Sequence, residues 1–314
     1  MGSAATWLRL ASGSVVLAAL GVGALAGPGC FLPDYEKVAA KPTTITTTSS
    51  VGGGGSGQGG SGQGGGQGGQ GGTIVGCADD ASGPDCAGNA GPPMVRVPIQ
   101  AGGSYCVDTT EVTNTQYDEF LQSMPDPQGP TQPDLCKAFN ASFTPNGWNG
   151  PPAGKEGHPV VNVDWCDAAA YCRFAGKRLC GKVGGGPAAH NTQDADPINE
   201  QWYRACSIGG HRIYPYTDGD GYEPKACNGK ENSNGTVPTG SIASCEGGHC
   251  GLYDMAGNVS EWVDMCDGET GDMDKCLVLG GNFQGVGDAV SCIAYGDIAR
   301  ASKNPTVGFR CCKD

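Results

Sequence analysis

The chain has 314 residues, with 32 acidic against 19 basic side chains for a net charge of −13, and it contains 56 glycines and 17 cysteines. No basic run interrupts the acidic balance, so the electrostatic footprint of a nucleic-acid-binding protein is missing, while solubility and cation binding suit the charge. Length alone permits two average domains, but residues 52–72 hold only Gly, Ser and Gln and have nothing apolar to bury, which leaves one sizeable core from residue 91 onward.

Residues 1–29 carry a single charged side chain, Arg9, and an apolar run from Val15 to Leu25 that is short and rich in Ala and Gly. That pattern predicts a secretory signal sooner than a membrane span. The segment closes as Gly27-Pro28-Gly29-Cys30, which resembles a bacterial lipoprotein signal. The resemblance implies a lipid on Cys30 and attachment to a membrane through it; plain secretion and a retained anchor are the alternatives. Residues 30–90 then read as a flexible Gly/Gln/Ser-rich tether that holds the domain 91–314 away from a membrane surface.

With Cys30 set aside, 16 of the 17 cysteines remain, an even and dense set. In an exported protein such a set reads as a disulfide framework, and the short-spaced CxxC pairs of structural zinc are missing. Cys77 with Cys86, and Cys266 with Cys276, are close enough along the chain to close local loops.

Three helices are expected in the domain. Thr113-Asn114-Thr115-Gln116 has the form of a capping box, with Tyr117, Phe120 and Leu121 following at helical spacing. Asp164 can cap a second helix whose Trp165, Ala168, Ala169 and Cys172 share a face, with Gly176 as its stop. A third is expected from about Ile198 to Ser207, opened by Asp196-Pro197 and closed by Gly209-Gly210. Short apolar runs such as 159–163 and 276–279 supply the strands, with His158 as a structural residue at the head of the first. The class is α+β, rich in loops and disulfides.

Several segments carry a family signature in order: Val107 to Asn114, His158-Pro159-Val160-Val161-Asn162-Val163, Trp165 to Leu179, Gly251 to Trp262, Gly280-Gly281-Asn282-Phe283 and Gly308-Phe309-Arg310-Cys311. Together they resemble the formylglycine-generating enzyme (sulfatase-modifying factor) family. The resemblance implies one loop-rich α+β domain related to C-type lectins. It also implies a calcium ion wrapped by the segment from Asp254 to Glu261, with side-chain oxygens from Asp254 and Glu261 and backbone carbonyls from Gly257 and Val259. Calcium takes six to eight hard oxygens from flexible loops, so the donor types suit it. The resemblance implies a second site on Asn228 and Gly229 that continues in the loop Glu231 to Ser233, which is shorter than the family's.

Active members of the family oxidise a substrate cysteine with Cu(I) held by a cysteine pair just after the Gly-Gly motif, and soft thiolates are the right donors for Cu(I). Here Gly285 stands where the first cysteine belongs, and Cys292 aligns with the second only across a short insertion. The family's usual bridge pairs Cys172 with Cys311, and the same route pairs Cys206 with Cys292. Cys245 and Cys250 are expected to close a disulfide loop, and Cys311 and Cys312 to join different partners. Two classes of function remain: a calcium-stabilised binding or structural domain of the envelope, meeting a protein or peptide partner, and an oxidase of protein or peptide thiols.

Overall fold

Two reciprocal caps start the helices that carry the largest apolar core. A computed structural model describes residues 86–87, 90–99, 101–191, 196–217 and 221–314. The expected leader at residues 1–29, Cys30, the glycine-rich segment and Cys77 lie outside the described residues. Helix α1 (Asn114–Gln122) begins where the Thr113 hydroxyl accepts from Gln116 N–H and the Gln116 side chain accepts from Thr113 N–H. Helix α2 (Trp165–Phe174) has the same arrangement between Asp164 and Asp167 and buries Trp165 through Cys172. Each cap satisfies two amides that the first turn leaves without partners. The helices meet ring to ring: Tyr117 stacks on Tyr171 at 5.6 Å, and Phe120 meets Tyr171 edge-on at 5.7 Å.

Helix α3 (Gln201–Ser207) starts later than its sequence pattern implies. Glu200 is held extended in a bridge to Lys182, and the Asp196 carboxylate takes the amides of Ile198 and Asn199 in a turn, so helical geometry is delayed to Gln201. Residues 159–163 also depart from expectation. Only Pro159 forms a bridge, to Thr113, and Asn162 sits at φ +61, which ends the extended run.

The strands form two four-stranded sheets. The first runs β1 (Met94–Pro98), β2 (Ser104–Asp108), β8 (Cys311–Lys313), β3 (Arg178–Leu179), all antiparallel. The second runs β6 (Tyr295–Ala299), β5 (Lys275–Leu279), β4 (Ser260–Cys266), β7 (Val307–Phe309), with β4 and β7 parallel. The chain leaves the second sheet at Phe309 and joins the first at Cys311, so Arg310 stands at the passage between them.

Seven disulfides join described residues: Cys86–Cys106, Cys136–Cys166, Cys172–Cys311, Cys180–Cys312, Cys206–Cys292, Cys227–Cys245 and Cys266–Cys276. Cys250 is bridged as well. Successive residues of a strand face opposite sides, which sends Cys311 to α2 and Cys312 to Cys180. Two local expectations fail. Cys86 joins Cys106 on β2 instead of Cys77, and Cys245 joins Cys227 instead of Cys250, because strand pairing and loop packing bring those Cα atoms to 5.5 and 4.7 Å. The domain is a single α+β unit framed by disulfides.

Candidate functional site

Arg310 is fully buried at the passage between the sheets. Its Nε and Nη2 each donate to the Glu261 carboxylate at 2.7 Å, and the remaining donors reach the carbonyls of Asp108 and Tyr253 at 3.0 and 2.8 Å. Trp202 Nε1 adds a third bond to Glu261 Oε2 at 2.7 Å. Such a two-pronged, charge-assisted fork is the geometry in which a buried pair holds without a large penalty. Next to it, Asp108 accepts from Lys177 Nζ at 2.6 Å and from Cys311 N–H at 2.9 Å. Burial raises the Asp108 pKa to about 6 despite the pull of Lys177.

The loop leading into β4 turns tightly through positive φ at Asp254, Gly257 and Asn258. At Gly257 a Cβ would lie 2.7 Å from the Asn228 carbonyl, so only glycine fits there. Asn258 N–H donates to that same carbonyl, and Asn228 Nδ2 donates to Asn258 Oδ1 at 3.0 Å. The structure thus brings Asn228 against the Asp254–Glu261 loop. Gly229 packs on the other side, where a Cβ would stand 3.0 Å from the Gly285 carbonyl.

Glu111, which the sequence offers only as part of a motif, joins this centre. Its Oε1 accepts from Asn258 Nδ2 at 3.0 Å, while Oε2 is buried without a donor. Asp254 is similar: Oδ2 accepts from Gly240 N–H at 2.6 Å and Oδ1 has none. Burial, and then their mutual repulsion, pushes the Glu111 pKa well up; burial likewise raises Asp254 to about 6. Glu111 could not have been singled out beforehand, because a carboxylate ahead of a helix reads as solvated unless its burial is known.

Two implied metals can be tested against these residues. For calcium, Glu111, Asp254 and Glu261 set three buried carboxylates against one guanidinium, and two of their oxygens, with Asn228 Oδ1, lack donors. An excess of negative charge and unpaired oxygen suits a hard divalent cation. Glu261 offers it little, since Arg310 and Trp202 already hold that carboxylate. No three His, Cys, Asp or Glu side chains converge as a ready metal cage among the described residues, so backbone and amide oxygens would complete the shell. For a copper-thiolate pair the residues do not fit. A Cβ at Gly285 would lie 2.9 Å from both the Ala289 carbonyl and a Val290 methyl, and Cys292 is bridged to Cys206.

Two of the histidines have polar partners of their own. His158 Nδ1 and Thr236 Oγ1 are 2.9 Å apart, and His190 meets Asp297 at 3.1 Å.

Residues 39–314 match the family model described as the sulfatase-modifying factor enzyme 1-like domain. Among similar proteins, the formylglycine-generating enzyme of Streptomyces coelicolor is 30% identical over 201 residues, covering 54% of this chain and 57% of that protein. The serine/threonine-protein kinase Pkn1 of Chlamydia trachomatis is 28% identical over 226 residues, covering 67% of this chain but 33% of the kinase. The chain therefore spans between a third and somewhat over half the length of these relatives. A solved structure, PvdO from Pseudomonas aeruginosa, superposes with a TM-score of 0.44 at 18% identity, covering 69% of this chain and 82% of that one. With its family model matched from residue 39 to residue 314, the chain belongs to the sulfatase-modifying factor enzyme 1-like domain family.

Proposed function

We propose that this protein is a calcium-stabilised binding or structural domain, displayed outside the cytoplasm and tethered through Cys30, and that it is not a copper-dependent cysteine oxidase. The observation that carries this reading is the Cys206–Cys292 bridge. The sulfur aligned with the family's second copper ligand is consumed in a disulfide, and the position of the first has no room for a side chain. A bridged sulfur is neither nucleophile nor thiolate ligand. All 15 described cysteines are disulfide-bonded, which supports an oxidising compartment. The matched relatives include proteins named as kinases as well as formylglycine-generating enzymes, in keeping with one fold serving several functions.

The decisive experiment combines non-reducing peptide mapping with oxygen uptake. The native protein should yield a peptide pair linked through Cys206 and Cys292, and should consume no oxygen when given copper and a cysteine peptide. A free Cys292 with copper-dependent uptake would establish the oxidase reading instead. Calcium is tested separately. Melting in calcium should lie above melting in chelator, by about 2.7 kcal/mol of stabilisation when calcium is at 100 times its Kd. Asp254→Asn should remove most of that difference, and an equal midpoint in both buffers would dismiss calcium.

A further inference from the structure

Where the end of β1 approaches the C-terminal end of α3, the surface opens into a cavity of about 260 Å³. It is lined by Pro98, Ile99, Arg204, Ile208, His211 and His249 and shares no residue with the Arg310 centre. Arg204 is 9% exposed, yet its guanidinium is held only by carbonyls, donating to Pro98 from Nε at 3.0 Å and to Pro197 from Nη1 at 3.1 Å. No described carboxylate forms an ion pair with it. Carbonyl dipoles orient a guanidinium without neutralising it, and a guanidinium carries five donors, so charge and donors remain for an anion.

His249 adds a second, independent observation. It is 6% exposed, and its Nδ1 is sealed from solvent with no partner. An orphaned acceptor is tolerated better than an orphaned N–H, so the neutral ring carries its proton on Nε2 and can donate from there. Burial first, and the nearby charges of Arg204 and Arg212 second, lower its pKa to about 4, so the ring is neutral at pH 7. Pro98, Ile99 and Ile208 supply an apolar wall, and His211 stands at the exposed rim. Ile208 holds φ +51, an uncommon conformation for a β-branched residue, at the turn that ends α3 beside the cavity.

We propose that this cavity binds a small organic carboxylate, its oxyanion held by Arg204 and His249 and its aliphatic part against Pro98, Ile99 and Ile208. Arginine matches a carboxylate in plane and in hydrogen-bond geometry, and the apolar wall selects an organic anion over an inorganic one. The proposal is independent of the reading offered above, because neither calcium nor the state of Cys292 enters it.

The test is a titration of the full chain with hexanoate, followed by ligand-observed NMR. Saturable binding of one equivalent is expected, with a Kd on the order of 1 mM for so small a probe. Arg204→Gln should weaken it at least about tenfold, the loss of one charge-assisted contact. Because Arg204 also ties two carbonyls, Ile99→Glu provides a variant that places a like charge in the cavity. Ile99 also packs on the core, so Ile99→Gln is its control: Ile99→Glu should abolish binding, and Ile99→Gln should keep most of it at a similar melting temperature. Hexanoate that does not saturate, or binding that survives both Arg204→Gln and Ile99→Glu, overturns the proposal. Inorganic phosphate that displaces hexanoate at equal concentration overturns it too, since the apolar wall would then select nothing.

Discussion

Around α1 and α2, order comes from apolar contact. Tyr117, Phe120, Tyr171 and Phe309 touch one another ring to ring within a large buried cluster. The segment from Ile208 to Asn258, by contrast, has almost no regular backbone; Leu252 and Met255 reach a larger core, while Cys227, Cys245 and Ala256 form with Val290 a cluster of only four buried members. So small a cluster buries too little to offset the entropy of ordering a long loop. The Cys227–Cys245 bridge, the Asn228–Asn258 amide pair and the Glu261–Arg310 fork take its place. One side therefore tolerates shape changes with graded losses. The other depends on a few polar and covalent links, each of which leaves a buried group unpaired when cut.

The sharpest way to break this contrast is Arg310→Gln, which leaves Glu261 buried without its cation. A loss of about 4 kcal/mol is expected in urea unfolding at pH 7. A loss below about 1 kcal/mol would mean that the polar centre is not what holds the loop side.

His249 comes next. Its pKa is near 4 in the folded protein against 6.5 for the free side chain. Above pH 6.5 neither state is protonated and the residue contributes no slope. As pH falls from 6.5 toward 4 the unfolded chain takes up the proton first, so stability drops, by roughly 3 kcal/mol at most, and the slope ends below pH 4. Subtracting the pH–stability curve of His249→Gln from that of the wild type should recover this difference with that sign. A flat difference curve would refute it.

On the aromatic side the effects should be smaller. Phe120→Leu keeps the site apolar but loses ring contacts, and about 1.5 kcal/mol is expected from the same unfolding assay. Thr113→Ala, which removes one half of the α1 cap, should cost about 1 kcal/mol. If these exceed the effect of Arg310→Gln, the division between the two regions is drawn the wrong way round.

The same division governs how far the sequence could be read. Thr113 with Gln116, and Asp164 with Asp167, interact within one turn, so both helix starts were visible as local patterns, and the aromatic spacing marked the buried face. The loop-closing pair Cys266–Cys276 was visible for the same reason. The delayed start of α3 was hidden because it rests in part on the bridge from Glu200 to Lys182, outside the helix's own turns. Cys86, ahead of β1, reaches Cys106 on β2, which spacing along the chain could not favour over Cys77.

By itself, the sequence determined the α+β class, the disulfide-rich character, the membership signalled by ordered motifs and the first two helices, because each rests on composition or on contacts between near neighbours. Only the tertiary structure decided that Glu111, Asp254, Glu261 and Arg310 form one buried centre, that Gly285 has no space for a side chain, and that Arg204 and His249 face a common cavity. Those features join residues tens to hundreds of positions apart, and the free energy of a charge depends on burial and partners that only packing creates.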